Sequence, residues 1–289
     1  MSRSNYFLQT IGLILTLITL TGCSVIIEKK TQDISTSLTQ SMLNFEDPQL
    51  VAEAMPTFII LLNAIAQEEN ASAGAKLSAA QLISAYTGAF VESIERQQKL
   101  SLLAFDYAKQ GSCLTDKKWC NLDNLSAKKF PAFIESLNKK DALLTFQYAS
   151  VWLSYINSHS HDWNAVANLQ QCRLLLERVI ELDAQIENGS AYVYLGAIDA
   201  SIPAALGGNP EQARAHFEQA ISISEGKNLV AKVELARRYA RSTFNKSLHH
   251  RLLNEVISAE SKVEGLTLMN TWAQQQAKAL LATENDYFD

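Results

Sequence analysis

Few side chains in this 289-residue chain have the type and spacing to do chemistry. The cysteines stand at positions 23, 113, 120 and 172. Cys23 ends a long apolar stretch, where its thiol is a candidate acceptor for acylation. Cys113 and Cys120 flank a short polar segment (CLTDKKWC). In an oxidising compartment a loop-closing disulfide there would be worth about 2 kcal/mol; the alternative is two free or partly exposed thiols. Two ligands at that spacing with no second pair do not make a zinc site. Cys172 falls within an amphipathic segment and reads as a small buried residue. His159 and His161 share a polar loop with Asp162 and would need ligands from elsewhere to hold a metal. His249 and His250 open a helical segment and, being adjacent, are expected to point in different directions. The fifth histidine is His216. The chain has no G-x-S-x-G elbow, Walker loop, H-E-x-x-H or dinucleotide glycine fingerprint, so no catalytic residue, metal or cofactor is expected.

Two polar groupings remain. Asp199 and Pro203 follow a small-residue stretch in which Gly196 and Ala200 permit close helix contact. The loop inserted after Asp199 either walls a ligand or partner site or is a capped helix end with a structural loop. Gly207-Gly208 is better read as the approach to a helix, with Asn209 as N-cap and Pro210 in the first helical position, than as a phosphate loop. Lys232, Arg237, Arg238 and Arg241 give a later helix a basic side. That side would suit an acidic patch on a partner or a carboxylate ligand, unless Glu234 simply balances it on a solvated face.

The positioning elements begin with an address. Arg3 precedes an uncharged apolar run from Phe7 to Leu20, too short for a span of about 20 residues but suited to a signal peptide. It ends in Leu20-Thr21-Gly22-Cys23, which resembles the bacterial lipobox. The expectation is a signal peptide over 1–22, lipidation at Cys23 and a Ser/Thr-rich tether or weak first helix over 23–47. An ordinary secretory signal or single-pass anchor is the alternative. Ser24 after the cysteine resembles the signal for export to the periplasmic face of the outer membrane. Several acyl chains would make attachment effectively permanent.

From residue 48 to 289 the composition is helical. Hydrophobic residues make up 47% and charged residues 19%, with only five prolines. That is enough apolar material for a large core and too little charge for disorder. The formal net charge is −5, one unit more negative without residues 1–22, and no basic stripe is present, which excludes nucleic acid as a partner. Leu50 to Gln67 is apolar on most faces and is expected to be well buried, with Pro56 kinking it or marking its early turns. Further helices are expected over Ala73 to Gln98, Leu100 to Lys109, Pro131 to Lys139 and Ala142 to Ile156.

The second half repeats. Tyr192, Leu195 and Gly196, then Ala213, Phe217 and Ala220, match the two helices of a tetratricopeptide repeat, with a surplus of residues in SIPAALGGNP between them. Cys172, Leu176 and Val179 form a second copy. Leu253 and Val256, with a final helix from Val263 to Ala282, form a fainter third. The fold expected is all-α: a degenerate tetratricopeptide-like helix-pair array, either an α-solenoid or a compact helical bundle.

The stretches Tyr194 to Ala200 (YLGAIDA), Pro203 to Gly208 (PAALGG), Ala213 to Ala220, Gly226 to Val233 and Ala236 to Ala240 are similar to the TatT component associated with TRAP transporters. Ala54-Met55-Pro56 and Ala85 to Val91 extend the likeness upstream. The resemblance implies a non-enzymatic lipoprotein that docks with, or handles ligand for, a TRAP-type periplasmic solute-binding protein. For some members it implies a homo-trimer with apolar cavities or a pore. The ligand implied is a small apolar or carboxylate molecule. Tyr194, Asp199, Pro203, Asn228, Lys232, Arg237 and Arg241 are then the candidate ligand or partner site. A general scaffold for another envelope complex is the alternative, and an envelope enzyme with an unrecognised site the rival from another class.

Overall fold

The computed structural model describes residues 37–201 and 208–289; the lipidation candidate Cys23 and the site candidate Pro203 lie outside them. Among the described residues all regular structure is helical, as the pattern predicts.

After a short helical segment at 37–43, α1 (Pro48–Gln67) starts where the Asp47 carboxylate accepts from the amides of Gln49 and Leu50 and Pro48 takes the first position. Pro56 is accommodated within the helix. The expectation of thorough burial fails. Val51, Met55 and Ile59 are buried on one side, while Leu50, Ile60, Leu61 and Ile65 are exposed on the other. An apolar helix at the edge of an array has only one neighbouring side to bury against.

The expected helix from Ala73 to Gln98 is two helices, α2 (Ala73–Phe90) and α3 (Ile94–Thr115). Val91 is extended, the Ser93 hydroxyl caps α3 by accepting from Arg96, and Gln97 donates to the Val91 carbonyl at 2.6 Å. These local bonds compete with helix continuation. In consequence α3 outruns the expected Leu100 to Lys109 by almost two turns, and Cys113 sits in its last turn rather than in a loop. Cys113 and Cys120 are joined by a disulfide with their Cα atoms 4.5 Å apart. The bridge holds the intervening 3-10 turn, Lys117–Trp119, so that the buried Trp119 ring meets Phe133 at 5.1 Å and Tyr148 at 5.6 Å.

Next come α4 (Phe130–Ser136), α5 (Ala142–Ser158), α6 (Trp163–Val166) and α7 (Leu169–Asp183). α4 stops three residues short of the expected Lys139, because Leu137 turns extended and Asn138 caps a separate 3-10 turn with Asp141. α5 is the centre of the first core: Tyr148 and Trp152 are wholly buried on it, against α3 and α7. Cys172 of α7 is buried against it, with its thiol 3.3 Å from the Ala149 carbonyl, and burial pushes the thiol's pKa up.

The last elements are α8 (Ser190–Ser201), α9 (Pro210–Ile223), α10 (Leu229–Glu234, continued by a π-helical turn over Leu235–Ala240), α11 (Lys246–Ser258), α12 (Thr267–Ala282) and α13 (Glu284–Phe288). Asn209 caps α9 by accepting from Gln212, with Pro210 in the first position, as expected. α12 begins four residues later than expected, after a turn at Gly265 with φ +75°. α8 and α9 form the pair that the repeat predicts. Ala213, Phe217 and Ala220 are wholly buried, and a Cβ on Gly196 would stand 2.8 Å from the Phe217 ring.

Replacing Cys113 and Cys120 by Ser together should cost about 2 to 3 kcal/mol, the entropy of a loop this short in the unfolded chain. Thermal unfolding of wild type with and without a reductant should reproduce the shift; equal melting temperatures would mean that the bridge contributes nothing.

Candidate functional site

Gly196 brings α8 onto α9, and that approach positions the first polar group. Asp199, one turn further along α8, is buried and faces two partners from neighbouring helices. Arg173 Nη2 of α7 donates to Asp199 Oδ1, and His216 Nδ1 of α9 lies 2.7 Å from Oδ2. Arg173 also pairs with Glu177, and the Tyr192 ring lies 6.0 Å from the imidazole. His216 Nε2 is 3.2 Å from the Gln212 amide nitrogen. With that amide donating to Nε2, Nδ1–H is left to donate to Asp199. An aspartate-oriented histidine also occurs in hydrolase triads, but there the second ring nitrogen faces a hydroxyl or thiol. Here it faces an amide, so the geometry locks three helices together at the end of α8.

The basic residues of the α10 segment are held in separate pairs. Arg237 and Arg238, three and four residues on, both reach the buried Glu234, at 3.1 and 2.6 Å. Arg237 also donates to Gln276 of α12 at 2.8 Å. Lys232 donates to Glu255 at 2.9 Å, and Arg251 to the same carboxylate at 2.8 Å. Burial would raise the Glu255 carboxyl, but bonds and charge from Lys232 and Arg251 outweigh it and hold the pKa below the usual carboxylate value. Tyr239 donates to Glu211 at 2.7 Å beneath the Arg214 guanidinium. Glu234 thus pairs with both Arg237 and Arg238, from a buried position rather than on a solvated face.

The candidate residues do not converge on one pocket. Tyr194 packs on Phe146 of α5, with ring centroids 5.9 Å apart. Asn228 is buried and caps α10 by accepting from Val230, while the neighbouring Leu229 amide is satisfied by Asn270 of α12 at 3.0 Å. Arg241 donates to Thr283 at 3.2 Å and lies 4.6 Å over the Tyr287 ring.

That last contact belongs to a cluster the sequence does not reveal. His249 and His250 converge instead of diverging. The two Nδ1 atoms approach the two oxygens of Glu284, at 2.7 and 2.9 Å, because the carboxylate straddles the helix start from α13. His249 is wholly buried and Phe288 stands on its ring edge-on at 5.2 Å. Lys246 pairs with Asp289 at 2.8 Å beside it. Nothing in the spacing of 249, 250 and 284 marks them as partners. Arg173 and His216 are equally silent in sequence. Among the described residues no group of three His, Cys, Asp or Glu side chains is arranged to hold a metal.

Burial lowers the His249 pKa, aided by the charges of Arg241 and His250 and opposed by Glu284. Burial works to raise Glu284, but its two histidine partners outweigh it and lower the pKa. Both depressed groups contribute stability that is present at neutral pH. That of His249 is lost as pH falls below about 6.5, and that of Glu284 as it falls below about 4.5. Glu284→Gln should lower stability by roughly 1–3 kcal/mol at pH 7. In thermal melts the gap from wild type should persist down to about pH 4.5 and narrow only below it, as the carboxyl takes up its proton; a gap independent of pH would sink this account.

A family-level comparison matches residues 44–288 to the TRAP transporter T-component family, spanning every helix from α1 to α13. A comparison with curated proteins finds no match. The matched region holds the Gly196–Phe217 helix contact, the Asp199 group and the basic α10 segment alike. The chain belongs to the TRAP transporter T-component family.

Proposed function

We propose that the protein is a lipid-anchored accessory of a TRAP transporter that docks with the periplasmic solute-binding protein and helps handle its ligand. The family match over residues 44–288 carries this reading. In it, residues 1–22 are a signal peptide, Cys23 carries the lipid at the periplasmic face of the outer membrane, and 23–47 form the tether. Residues 48–289 are then the working domain, which binds and does not catalyse. The buried polar groups support that reading, since Asp199, Glu234 and Glu284 are each taken up by two partners from the fold itself. Charges so neutralised give rigidity and are not themselves poised for chemistry.

The docking surface proposed is the basic surface of the α10 segment, on the part-buried side chains of Lys232, Arg237 and Arg241, with Asp199 buried behind it at the end of α8. Arg238 keeps 37% of its side chain exposed there. An acidic patch on the partner would meet it, or a carboxylate ligand in transit. A homo-trimer with an internal apolar path, which the family resemblance implies for some members, is part of the same proposal.

A TRAP-type periplasmic solute-binding protein from the same organism should co-purify with the unlipidated form (Cys23→Ser). Arg238→Ala should weaken the complex about tenfold, roughly the loss of one charge-assisted contact. Retention at wild-type affinity would move the docking surface elsewhere, and no co-purification at all would count against the transport accessory role.

A further inference from the structure

We propose that the outward face of α1 is a membrane-contact surface, lying in the plane of a bilayer against the acyl-chain boundary. At 100° per residue, Leu50, Glu53, Thr57, Ile60, Leu61, Ala64 and Ile65 project from one side of the helix, and all are exposed. Ile60 is 70% exposed and Leu61 57%. The opposite side, through Val51, Met55 and Ile59, is held in the core. α1 thus has the mean hydropathy of a membrane span, 1.6, with only 22% of its apolar window buried. Glu53 is its one charged side chain. Its buried side rules out crossing the bilayer, but leaves it free to lie upon one.

Three observations favour a lipid surface as the occupant. The apolar stripe amounts to about 400 Å², against roughly 800 Å² per partner in a stable protein–protein interface. Its exposed residues are mainly aliphatic, with Glu53 and Thr57 the polar exceptions, and it lacks the Tyr, Trp and Arg anchors that specify a protein partner. Third, α1 is the first long helix after the anchor, a reading of Cys23 on which this inference rests. The chain just before it is pinned to the body, with Gly265 N donating to Asn44 Oδ1 at 2.7 Å and Lys262 pairing with Glu46 at 2.6 Å. Lipidation at Cys23 would then hold the body about twenty residues from the bilayer. A stripe too weak to bind membrane alone becomes effective when a tether makes its encounter intramolecular. Without basic residues on α1, the contact is apolar and insensitive to salt.

The test uses the full lipidated chain bearing Leu61→Trp, reconstituted in phosphatidylcholine vesicles. The introduced indole should fluoresce at shorter wavelength than in detergent-free buffer. Lipids brominated on their acyl chains should quench it at least twofold more than they quench the wild-type tryptophans, at low and high salt alike. Protein that floats with the vesicles but shows no extra bromine quenching overturns the proposal while leaving the anchor intact. An indole shielded from aqueous iodide only at high protein concentration, and not quenched by bromine, overturns it in favour of a second copy of the chain. Protein that does not float at all refutes the anchor, and this surface falls with it.

Discussion

The close approach of α8 to α9 at Gly196 is the constraint on which the second half of the molecule depends. A Cβ there would lie within 2.9 Å of three atoms of the Phe217 ring, nearer than real side chains pack. The ring occupies the space left by the missing side chain, and Ala213 and Ala220 let the rest of α9 follow it in. Asp199 is one turn beyond Gly196 and His216 is the residue before Phe217. The ion-paired group that ties α7, α8 and α9 together exists because the two backbones come this near. The same device recurs in the first half, where a Cβ on Gly111 of α3 would stand 2.8 Å from Leu77 of α2.

The functional consequence is a body whose carboxylates at the helix junctions are already paired. Arg173, Asp199 and His216 close on one another; Glu234 takes two arginines; Glu255 takes Lys232 and Arg251. Buried charges arranged this way specify how helices meet and are costly to break, because removal of one partner strands the other. Such a framework suits a component that presents surfaces to other members of a transport system. The surfaces themselves differ in character: basic and partly neutralised along α10, mainly aliphatic with the single charge of Glu53 along α1.

Much of the fold was legible in the sequence. Its all-helical class, the α8–α9 pair and the burial of Cys172 follow from small and large residues at repeat spacing, since packing imposes that spacing directly. The misreadings have local causes. Ser93 and Gln97 make capping bonds that end α2 early, a competition that hydrophobic periodicity does not register. α1 looked like a core helix because its composition is apolar all round, and composition cannot say whether a neighbour exists on both sides. The candidate site was less legible. Asp199 stood out by its place beside small residues, but its partners Arg173 and His216 lie 26 and 17 residues away in the chain and carry no motif. His249 and His250 were expected to diverge because adjacent residues do on a helix; the carboxylate of Glu284, 34 and 35 residues on, reaches both from the chain end.

The central claim is that a missing side chain at 196 and a ring at 217 set the geometry of the helix pair. A double-mutant cycle tests it most directly, comparing the unfolding free energies of Gly196→Ala, Phe217→Leu and the double variant. Each single change should destabilise, one by overpacking and the other by leaving a cavity. The double variant should then be more stable than the sum of the two losses by about 1–2 kcal/mol, because the added methyl fills part of the space the ring vacates. Losses that simply add, within about 0.5 kcal/mol, would show that the two residues do not act on each other and would contradict the account.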